Sequence, residues 1–427
     1  MKKNVYILNH YAADMYFSRG GRHYWFAKFL RAKGYAPAVF ACNAKHGSDA
    51  EYWFDTGALF EEHVAEEIET PFVFVRGRAY TGNGKRRVLN MLDFYRNVQT
   101  AAAAYAKAHG APDVIYASSV HPLTLVAGIR LARRFGVPCV SEVRDLWPES
   151  IVTYSGRFTR SHPLMRLLYR GERWIYEKSD ALIFTFEGGY DYIVERGWDK
   201  FIPREKTHYS NNGVDLAAFD ENRERFRADD PMLDDPMLDD PSVFKAVYTG
   251  SVRRVNRVGF LLDAAKELRD PRVRLLVYGD GDELDALRRR AADEGVQNIV
   301  FRGRVEKKYV PSIVGRADLN ILHWEMTPLT RFGMSLNKLF EYLAAGRPIF
   351  STVRSPYSIV GRCRCGAEAE DFTPHALAEG IERIAALSAP ERATMGERAR
   401  AAAADFDFGT LTDKLIALIE QTERRRR

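Results

Sequence analysis

Residues 331–349, Arg-Phe-Gly-Met-Ser-Leu-Asn-Lys-Leu-Phe-Glu-Tyr-Leu-Ala-Ala-Gly-Arg-Pro-Ile, decide how the chain is read, because they spell a glycine-opened helix that runs into a strand. Leu336, Leu339, Phe340 and Leu343 recur at helical spacing and predict one buried stripe, leaving Asn337, Lys338 and Glu341 together on the other side. At the start of such a helix, backbone N–H groups without intrahelical partners and the positive end of the dipole favour an anion. Gly333 lets a ligand approach the backbone, Lys338 adds a point charge, and Glu341 offers a carboxylate to sugar hydroxyls. Gly346 with Pro348 stops the helix before a strand at 349–353. An ordinary amphipathic surface helix with a solvated Lys and Glu fits the same pattern.

Outward from this stretch, β-branched and aromatic runs alternate with helical patterns, which predicts α/β units around parallel sheets. Strands are expected at 5–9, 36–41, 72–75, 113–118, 138–143, 181–186 and 207–211, with helices at 22–33, 98–108 and 123–135 among them. The alternation restarts after residue 240, with strands at 244–248, 274–278, 299–302, 319–322 and 348–352. Two such domains facing one another would place a ligand cleft at the carboxyl ends of their strands. Between the two series, 229–241 repeats Asp-Asp-Pro-Met-Leu in tandem. Its prolines and acidic pairs read as an exposed loop without chemistry.

A chain of 427 residues exceeds what one core supports and implies two or three domains. Its 46% hydrophobic and 28% charged residues exclude fibrous and wholly disordered classes. The net charge of +6, part of it in the arginine run 424–427, suits phosphorylated ligands or an anionic membrane surface without specifying either. The basic residues lie in separate loops, which argues against nucleic acid. Four cysteines are too scattered for a disulfide framework and point to a reduced, cytosolic protein. Cys363 and Cys365 lack further ligands at zinc-like spacing. The apolar run at 4–9 is too short for a signal peptide, and no segment reaches the length of a membrane span. Any membrane contact is therefore expected to be peripheral.

The remaining motifs fall at predicted strand ends. Gly20-Gly21 enters a helix, and its flanking Arg19 and Arg22 would strengthen a preference for phosphate, although the third glycine of a dinucleotide fingerprint is missing. His121, Arg144 and Asp145 follow two successive strands and are the candidates for touching a reacting group; Arg144 and Asp145 could also pair with other charges. Gly250 and then Arg253, Arg254 and Arg257 would clamp a diphosphate, or form a solvated basic loop. Asp280 and Asp282 form an Asp-x-Asp triplet that could suggest a divalent cation. Gly279 and Gly281 instead mark a strand-to-helix turn, and no metal or other cofactor is expected.

Taken together these segments resemble the family-4 glycosyltransferases, retaining enzymes of the GT-B fold, with two facing Rossmann-like doubly wound domains and an interdomain cleft. The resemblance spans most of the chain: Gly20-Gly21, Asn212-Gly213-Val214-Asp215, Thr249-Gly250-Ser251, Gly279-Asp280-Gly281, Phe301-Arg302-Gly303-Arg304-Val305 and Asn337-Lys338-Leu339-Phe340-Glu341. Arg144-Asp145-Leu146-Trp147-Pro148 is similar to the branch that builds surface polysaccharides and lipid-linked oligosaccharides. The implied domains are 1–215, a linker with the acidic insertion over 216–243, 244–405, and a closing helix with a basic tail over 406–427 that packs back on the first domain.

The family implies that Glu341, the second glutamate of its E-x7-E signature, binds the donor ribose and that backbone at Arg304 and Val305 reads the base. It also implies that Arg253 or Arg254, with Arg257 and Lys338, holds the diphosphate, and that Gly20, Gly21, Gly250, Gly279, Gly333, Ser335, Leu336, Asn337 and Leu339 line the donor. The first glutamate of the signature falls on Gly333, so sugar recognition would shift to the backbone of 333–336. The family's frequent His-Asp pair is Arg144-Asp145 here, which makes His121 the histidine to test. The implied reaction is hexosyl or N-acetylhexosaminyl transfer from a nucleotide diphosphate, expected as UDP, to a glycan or polyprenyl-linked acceptor at the inner membrane face. The leaving diphosphate would help to deprotonate the acceptor, so no protein nucleophile is required. A nucleotide-sugar epimerase of the same fold and an inactive nucleotide-sugar-binding scaffold are the competing readings.

Overall fold

The computed structural model describes residues 2–46, 51–54, 57–82, 84–119, 121–226 and 235–426. The chain divides into two compact units, Met1–Asn211 with Phe408–Arg427, and Asn212–Asp407. In the first, the described residues form eight strands: β1 (Asn4–Leu8), β2 (Ala36–Cys42), β3 (Phe60–Ala65), β4 (Thr70–Val75), β5 (Val114–Ser118), β6 (Cys139–Val143), β7 (Ala181–Phe184) and β8 (Thr207–Tyr209). They build one sheet in the order β3-β4-β2-β1-β5-β6-β7-β8, parallel throughout except between β3 and β4. Val5, Tyr6, Ile7 and Leu8 are all buried, as expected of a central parallel strand covered on both faces. The helix Arg22–Ala32 buries Phe26 and Leu30 in the same cluster as Leu411, Leu415, Leu418 and Ile419 of the closing helix Phe408–Arg426. The helical spacing of those four residues makes the last segment part of the first unit's core.

The second unit holds β9 (Phe244–Thr249), β10 (Val273–Tyr278), β11 (Ile299–Gly303), β12 (Leu319–Leu322), β13 (Ile349–Ser351) and β14 (Gly366–Glu368), all parallel, in the order β11-β10-β9-β12-β13-β14. In each sheet the strand order reverses beside its central first strand, between β1 and β5 and between β9 and β12. Such switch points open a crevice at the carboxyl ends of the strands.

Four regions depart from the sequence expectations. β3 and β14 were not anticipated: β3, Phe-Glu-Glu-His-Val-Ala, is a charged antiparallel edge, and β14 is only three residues long. The helix expected over 98–108 spans Lys85–His109, its first turns being too basic to show a stripe. The described parts of 216–243, a stretch expected as a linker, belong to the second unit. Its helix Leu216–Arg225 is capped by Asp215 and buries Phe219 beside Phe340 and Leu343.

Residues 227–234, the first part of the acidic repeat, lie outside the described residues. The second copy is not an exposed loop: Asp235 is buried, receives the Tyr278 hydroxyl and Arg302 Nε, both at 2.6 Å, and caps the short helix Pro236–Asp239. Its partners lie 43 and 67 residues away in sequence, beyond the reach of local composition. No helix among the described residues is long and apolar enough to cross a membrane.

Candidate functional site

The signature helix of the second unit runs Asn337–Ala345, four residues later than its glycine suggested. Gly333, at φ +98°, ends the turn Pro328–Phe332, and Leu336 enters the helix with extended backbone and no side-chain cap. Leu339, Phe340 and Leu343 are buried as expected, whereas Leu336 is only half-buried. The Thr249 N–H donates to the Tyr342 hydroxyl at 2.9 Å, which ties the helix to the carboxyl end of β9 at the switch point. Asn337 is exposed, and its side-chain oxygen already accepts one hydrogen bond, from Asn212 Nδ2.

Lys338 and Glu341 carry the chemistry of this helix. The Lys338 ammonium lies 4.1 Å from the Tyr248 ring centroid, a cation–π contact, and makes no hydrogen bond or ion pair among the described residues. Gly250 leaves it room, since a Cβ there would lie 2.9 Å from Nζ. Burial lowers the lysine to about 7, with Glu341 opposing that fall. Burial also raises the Glu341 carboxyl, against the pull of Lys307 and Lys338. Lys307, the charge that most opposes that rise, was not singled out in the sequence; it follows Arg304-Val305 closely, but nothing local distinguishes it from a solvated lysine. A half-neutral lysine beside a desolvated carboxylate is an electrostatically strained pair, poised to gain from an added phosphate and a hydroxyl donor.

The turns after β9 and β10 interlock. A Cβ on Gly279, at φ +152°, would lie 1.8 Å from the Gly250 carbonyl oxygen, so this glycine serves backbone packing rather than ligand approach. The Val252 N–H donates to the Asp280 carbonyl at 2.8 Å and the Glu283 N–H to the Val252 carbonyl at 3.1 Å. Asp280 turns its carboxylate on the Gly281 N–H at 2.8 Å. No group of three metal-binding side chains occurs among the described residues.

The expected three-arginine clamp is reduced. Arg253 and Arg254 are exposed and make no side-chain hydrogen bond or ion pair among the described residues, but Arg257 pairs with Glu325 at 3.0 Å and lies over Phe372. Arg304 is exposed, and Val305 packs half-buried against a cluster containing Tyr278 and Tyr309. His323, at the end of β12, was missed by sequence reasoning because Ile-Leu-His-Trp matches no motif. It stacks on Phe260 and donates through Nε2 to the Arg257 carbonyl at 3.2 Å, and burial lowers it to about 3. It is a neutral packing group at the β9/β12 switch point.

In the first unit, Gly21 precedes the helix Arg22–Ala32 at φ +104°, but its flanking arginines are not phosphate ligands. Arg22 is buried, with Nε on Glu142 at 2.7 Å, Nη1 on the Asn211 carbonyl at 2.6 Å and Nη2 on the Ser210 carbonyl at 2.9 Å. Glu142 also receives the Ser118 hydroxyl at 2.7 Å and the Tyr116 hydroxyl. Burial opposes its ionisation, yet Arg22 and His23 hold the carboxyl well below its ordinary range. Arg19 pairs with Glu67 at 2.8 Å on the surface.

His121 lies at the β1/β5 switch point, buried at the start of the helix Pro122–Phe135. Its tautomer follows from its neighbours. Asn90 Nδ2 donates to the Arg78 carbonyl at 2.8 Å, so Asn90 Oδ1 must be the atom 2.7 Å from His10 Nε2, which therefore carries hydrogen. His10 Nδ1 is then an acceptor for His121 Nε2–H at 2.8 Å. His121 Nδ1 is left with a bare lone pair and no hydrogen-bond partner. Burial, then Arg87, lowers this histidine to about 3, so it is neutral at physiological pH. His10 had not been singled out; its only signal was its place just after β1.

Arg144 donates its N–H to Ser119 Oγ at 3.1 Å, and exposed Asp145 lines a small cleft with Ser119, Trp147 and Glu172. Glu172 is buried, accepts the Tyr176 and Tyr192 hydroxyls at 2.8 Å each and is raised to about 8 by burial. No hydrogen bond links Arg144 or Asp145 to His121 among the described residues. The structure thus gathers His10 with His121, and separately Lys338 with Glu341.

Residues 20–213 match the family model of the glycosyl transferase 4-like domain, and residues 244–386 that of the glycosyl transferases group 1. The fold is similar to that of sucrose-phosphate synthase from Thermosynechococcus elongatus, at 18% identity and a TM-score of 0.68 over 98% of this chain and 99% of that one. It is also similar to Anabaena HepE in complex with UDP-glucose, at 15% identity and 0.62 over 98% and 99%. A third similar structure is WaaG, a glycosyltransferase involved in lipopolysaccharide biosynthesis, at 17% identity and 0.62 over 97% and 99%. No curated protein matches the sequence.

Proposed function

Because the chain belongs to the family-4 glycosyltransferases of the GT-B fold, we propose that it moves a sugar from a UDP-linked donor, with retention, to a glycan or lipid-linked acceptor in cell-surface polysaccharide synthesis. The observation that carries the donor reading is the pair Lys338 and Glu341, neither making a side-chain hydrogen bond or ion pair among the described residues, on the first turns of the helix Asn337–Ala345. Lys338, the open helix start and Arg253 with Arg254 hold the diphosphate, and Glu341 takes the ribose hydroxyls. Backbone at Arg304 and Val305 meets the base. With no carboxylate at Gly333, the sugar hydroxyls fall to the backbone of 333–336. HepE, whose structure holds UDP-glucose, supports the choice of base. WaaG, named for lipopolysaccharide biosynthesis, supports the class of acceptor.

In the reaction the bond from the anomeric carbon to the phosphate oxygen breaks as the acceptor oxygen bonds to the same face. The acceptor's proton passes to the departing diphosphate. Lys338 and the two arginines stabilise the charge that develops on that phosphate, and fixed cations outperform water because they need no reorganisation. His121, Arg144 and Asp145 act on the sugar and acceptor side, His121 through its bare Nδ1.

Calorimetric titration with UDP, GDP and ADP, followed by transfer from UDP-sugars to an acceptor panel with NMR of the product anomer, tests the reading. Preferential UDP binding and a retained anomer support it; absence of nucleotide diphosphate binding, or an inverted product, overturns it. The substitution of Gly333 for a glutamate favours one alternative, an inactive donor-binding scaffold, which would bind UDP and transfer nothing.

A further inference from the structure

The sheet of the first unit comes apart at one corner. β1 pairs with β2 from Asn4 and Ala36 onward, and β3 with β4 as far as Ala65 and Thr70, but β2 and β4 pair only from Val39 and Phe72. Pro37 and Pro71 stand at the amino ends of these two strands, and neither has an N–H to carry the ladder across the gap. What results is an open cavity of about 580 Å³, within the size range of small-molecule sites. His10 and His121 lie at the other end of the sheet, about 20 Å from Asn4 along β1 at about 3.3 Å per residue.

The floor of the cavity is small and largely apolar. Tyr6 and Ala38 are register partners on one face of the sheet, as are Asn4 and Ala36, and Val64 pairs with Pro71 on the adjoining edge. The last turns of the helix Lys85–His109 form a wall, where Tyr105 stacks on His109 at 4.2 Å and meets Tyr6 edge-on at 5.6 Å.

Polar groups of both kinds border this floor with bonding capacity left over. Tyr105 is 5% exposed, yet its hydroxyl, which lines the cavity near Glu62, makes no hydrogen bond among the described residues. Arg31 reaches Glu69 only at 3.5 Å, and its buried Nε has no hydrogen-bond partner among the described residues. Among the same residues Glu62 meets His109 Nε2 at 3.0 Å, and the Glu66 side chain makes no hydrogen bond or ion pair.

These neighbours select the ligand by elimination. An anion would face Glu62, Glu66 and Glu69, whereas an organic cation would face Arg31 and leave its buried Nε unpaired. A wholly apolar ligand would strand that donor and the Tyr105 hydroxyl out of water. A ring with an apolar C–H face and a rim of hydroxyls suits the whole lining, because each hydroxyl donates to a carboxylate and accepts from an N–H or O–H.

We propose that this cavity is a saccharide-binding site, holding one or two sugar residues of a glycan at the end of the first unit remote from His121. The apolar ring faces lie over Ala36, Ala38 and Val64, and the hydroxyls bond Arg31 Nε, the Tyr105 hydroxyl and the carboxylates of Glu62 and Glu66. In an enzyme that extends a glycan, such a site tethers the polymer and raises the local concentration of its reacting end. That use rests on the acceptor class proposed above; the binding itself does not.

The test is saturation-transfer NMR and titration calorimetry of the full chain without nucleotide, with maltotriose and triacetylchitotriose as probes and spermidine and inorganic phosphate as controls. At least one trisaccharide is expected to bind, and neither control. Tyr105→Phe, which keeps the ring, and Arg31→Met should each weaken binding about 2- to 10-fold, the range for one lost hydrogen bond. Val64→Trp, at a position 41% exposed, should fill the floor and abolish binding. An unchanged melting temperature shows that each variant folds, and a parallel UDP titration reports on the donor reading separately. Failure of both trisaccharides to bind, or binding that all three variants leave intact, overturns the proposal. So does binding of spermidine or phosphate that these variants weaken, which would make the cavity an ion site.

Discussion

Replacing Lys338 by methionine separates charge from packing, since methionine keeps an apolar stem over Tyr248 and removes the ammonium. Burial brings this lysine from 10.5 to about 7, so at pH 8 the unliganded protein holds it about nine-tenths neutral. A bound diphosphate favours the charged form and draws the group back up. Binding of a nucleotide sugar, whose diphosphate stays ionised throughout, should therefore take up about 0.9 proton at pH 8 and about 0.1 at pH 6. Affinity should fall about tenfold per pH unit above 7 until the pH meets the value in the complex.

Lys338→Met should bind about 10- to 150-fold more weakly at pH 6, the worth of a charge-assisted bond of about 1.5–3 kcal/mol, and show neither slope nor proton uptake. Lys338→Arg, always protonated, should lose the slope while keeping a charge. Titration calorimetry in buffers of different ionisation enthalpy reads both quantities. Flat wild-type affinity from about pH 6 to 9 with no buffer-dependent heat would refute the reasoning, as would wild-type binding by Lys338→Met.

Stability gives an independent check of sign. The folded value lies below the unfolded one, so between about 7 and 10.5 the unfolded chain binds more protons and stability rises with pH. Below that window the buried charge is a full cost. Lys338→Met should accordingly melt higher than wild type near pH 6, with the gain shrinking toward pH 10.

Glu142→Gln should destabilise the first unit by about 3–5 kcal/mol by stranding the Arg22 guanidinium, with UDP affinity unchanged; urea unfolding measures it. Because the Glu142 carboxyl is held below 4.5, wild type should lose this contribution as pH falls from there toward the folded value, and the variant should lack that slope. His10→Leu should lower kcat while UDP affinity holds, since it frees the tautomer of His121. Wild-type turnover should show no histidine titration between about pH 5 and 8, because His121 lies at about 3. A histidine limb there, or full kcat in His10→Leu, would remove the dyad from the reaction. Glu341→Gln should weaken UDP binding about tenfold or more but leave 2′-deoxy-UDP binding little changed; equal losses for both ligands would dissociate Glu341 from the ribose.

Local pattern was enough to divide the chain into two α/β series, to place most strands within one or two residues, and to put Leu339, Phe340 and Leu343 in the core. Side-chain period and turn residues record burial directly, and burial is what a parallel sheet demands of its neighbours. What local pattern could not supply was the state of each charge. Arg22 beside Gly20-Gly21 looks like a phosphate ligand until β6 brings Glu142 against it, 120 residues away in sequence. His121 becomes a neutral base with a defined tautomer only because β1 delivers His10 and the helix Lys85–His109 delivers Asn90. Asp235, one of a run of acidic repeats, turns inward because Arg302 waits there. Lys338 is an ordinary surface lysine by sequence and a half-neutral one once Tyr248 and its other neighbours take it partly out of water. Apolar burial depends on a residue's own type and period, whereas the free energy of a charge depends on dielectric and partners that only the completed fold assembles.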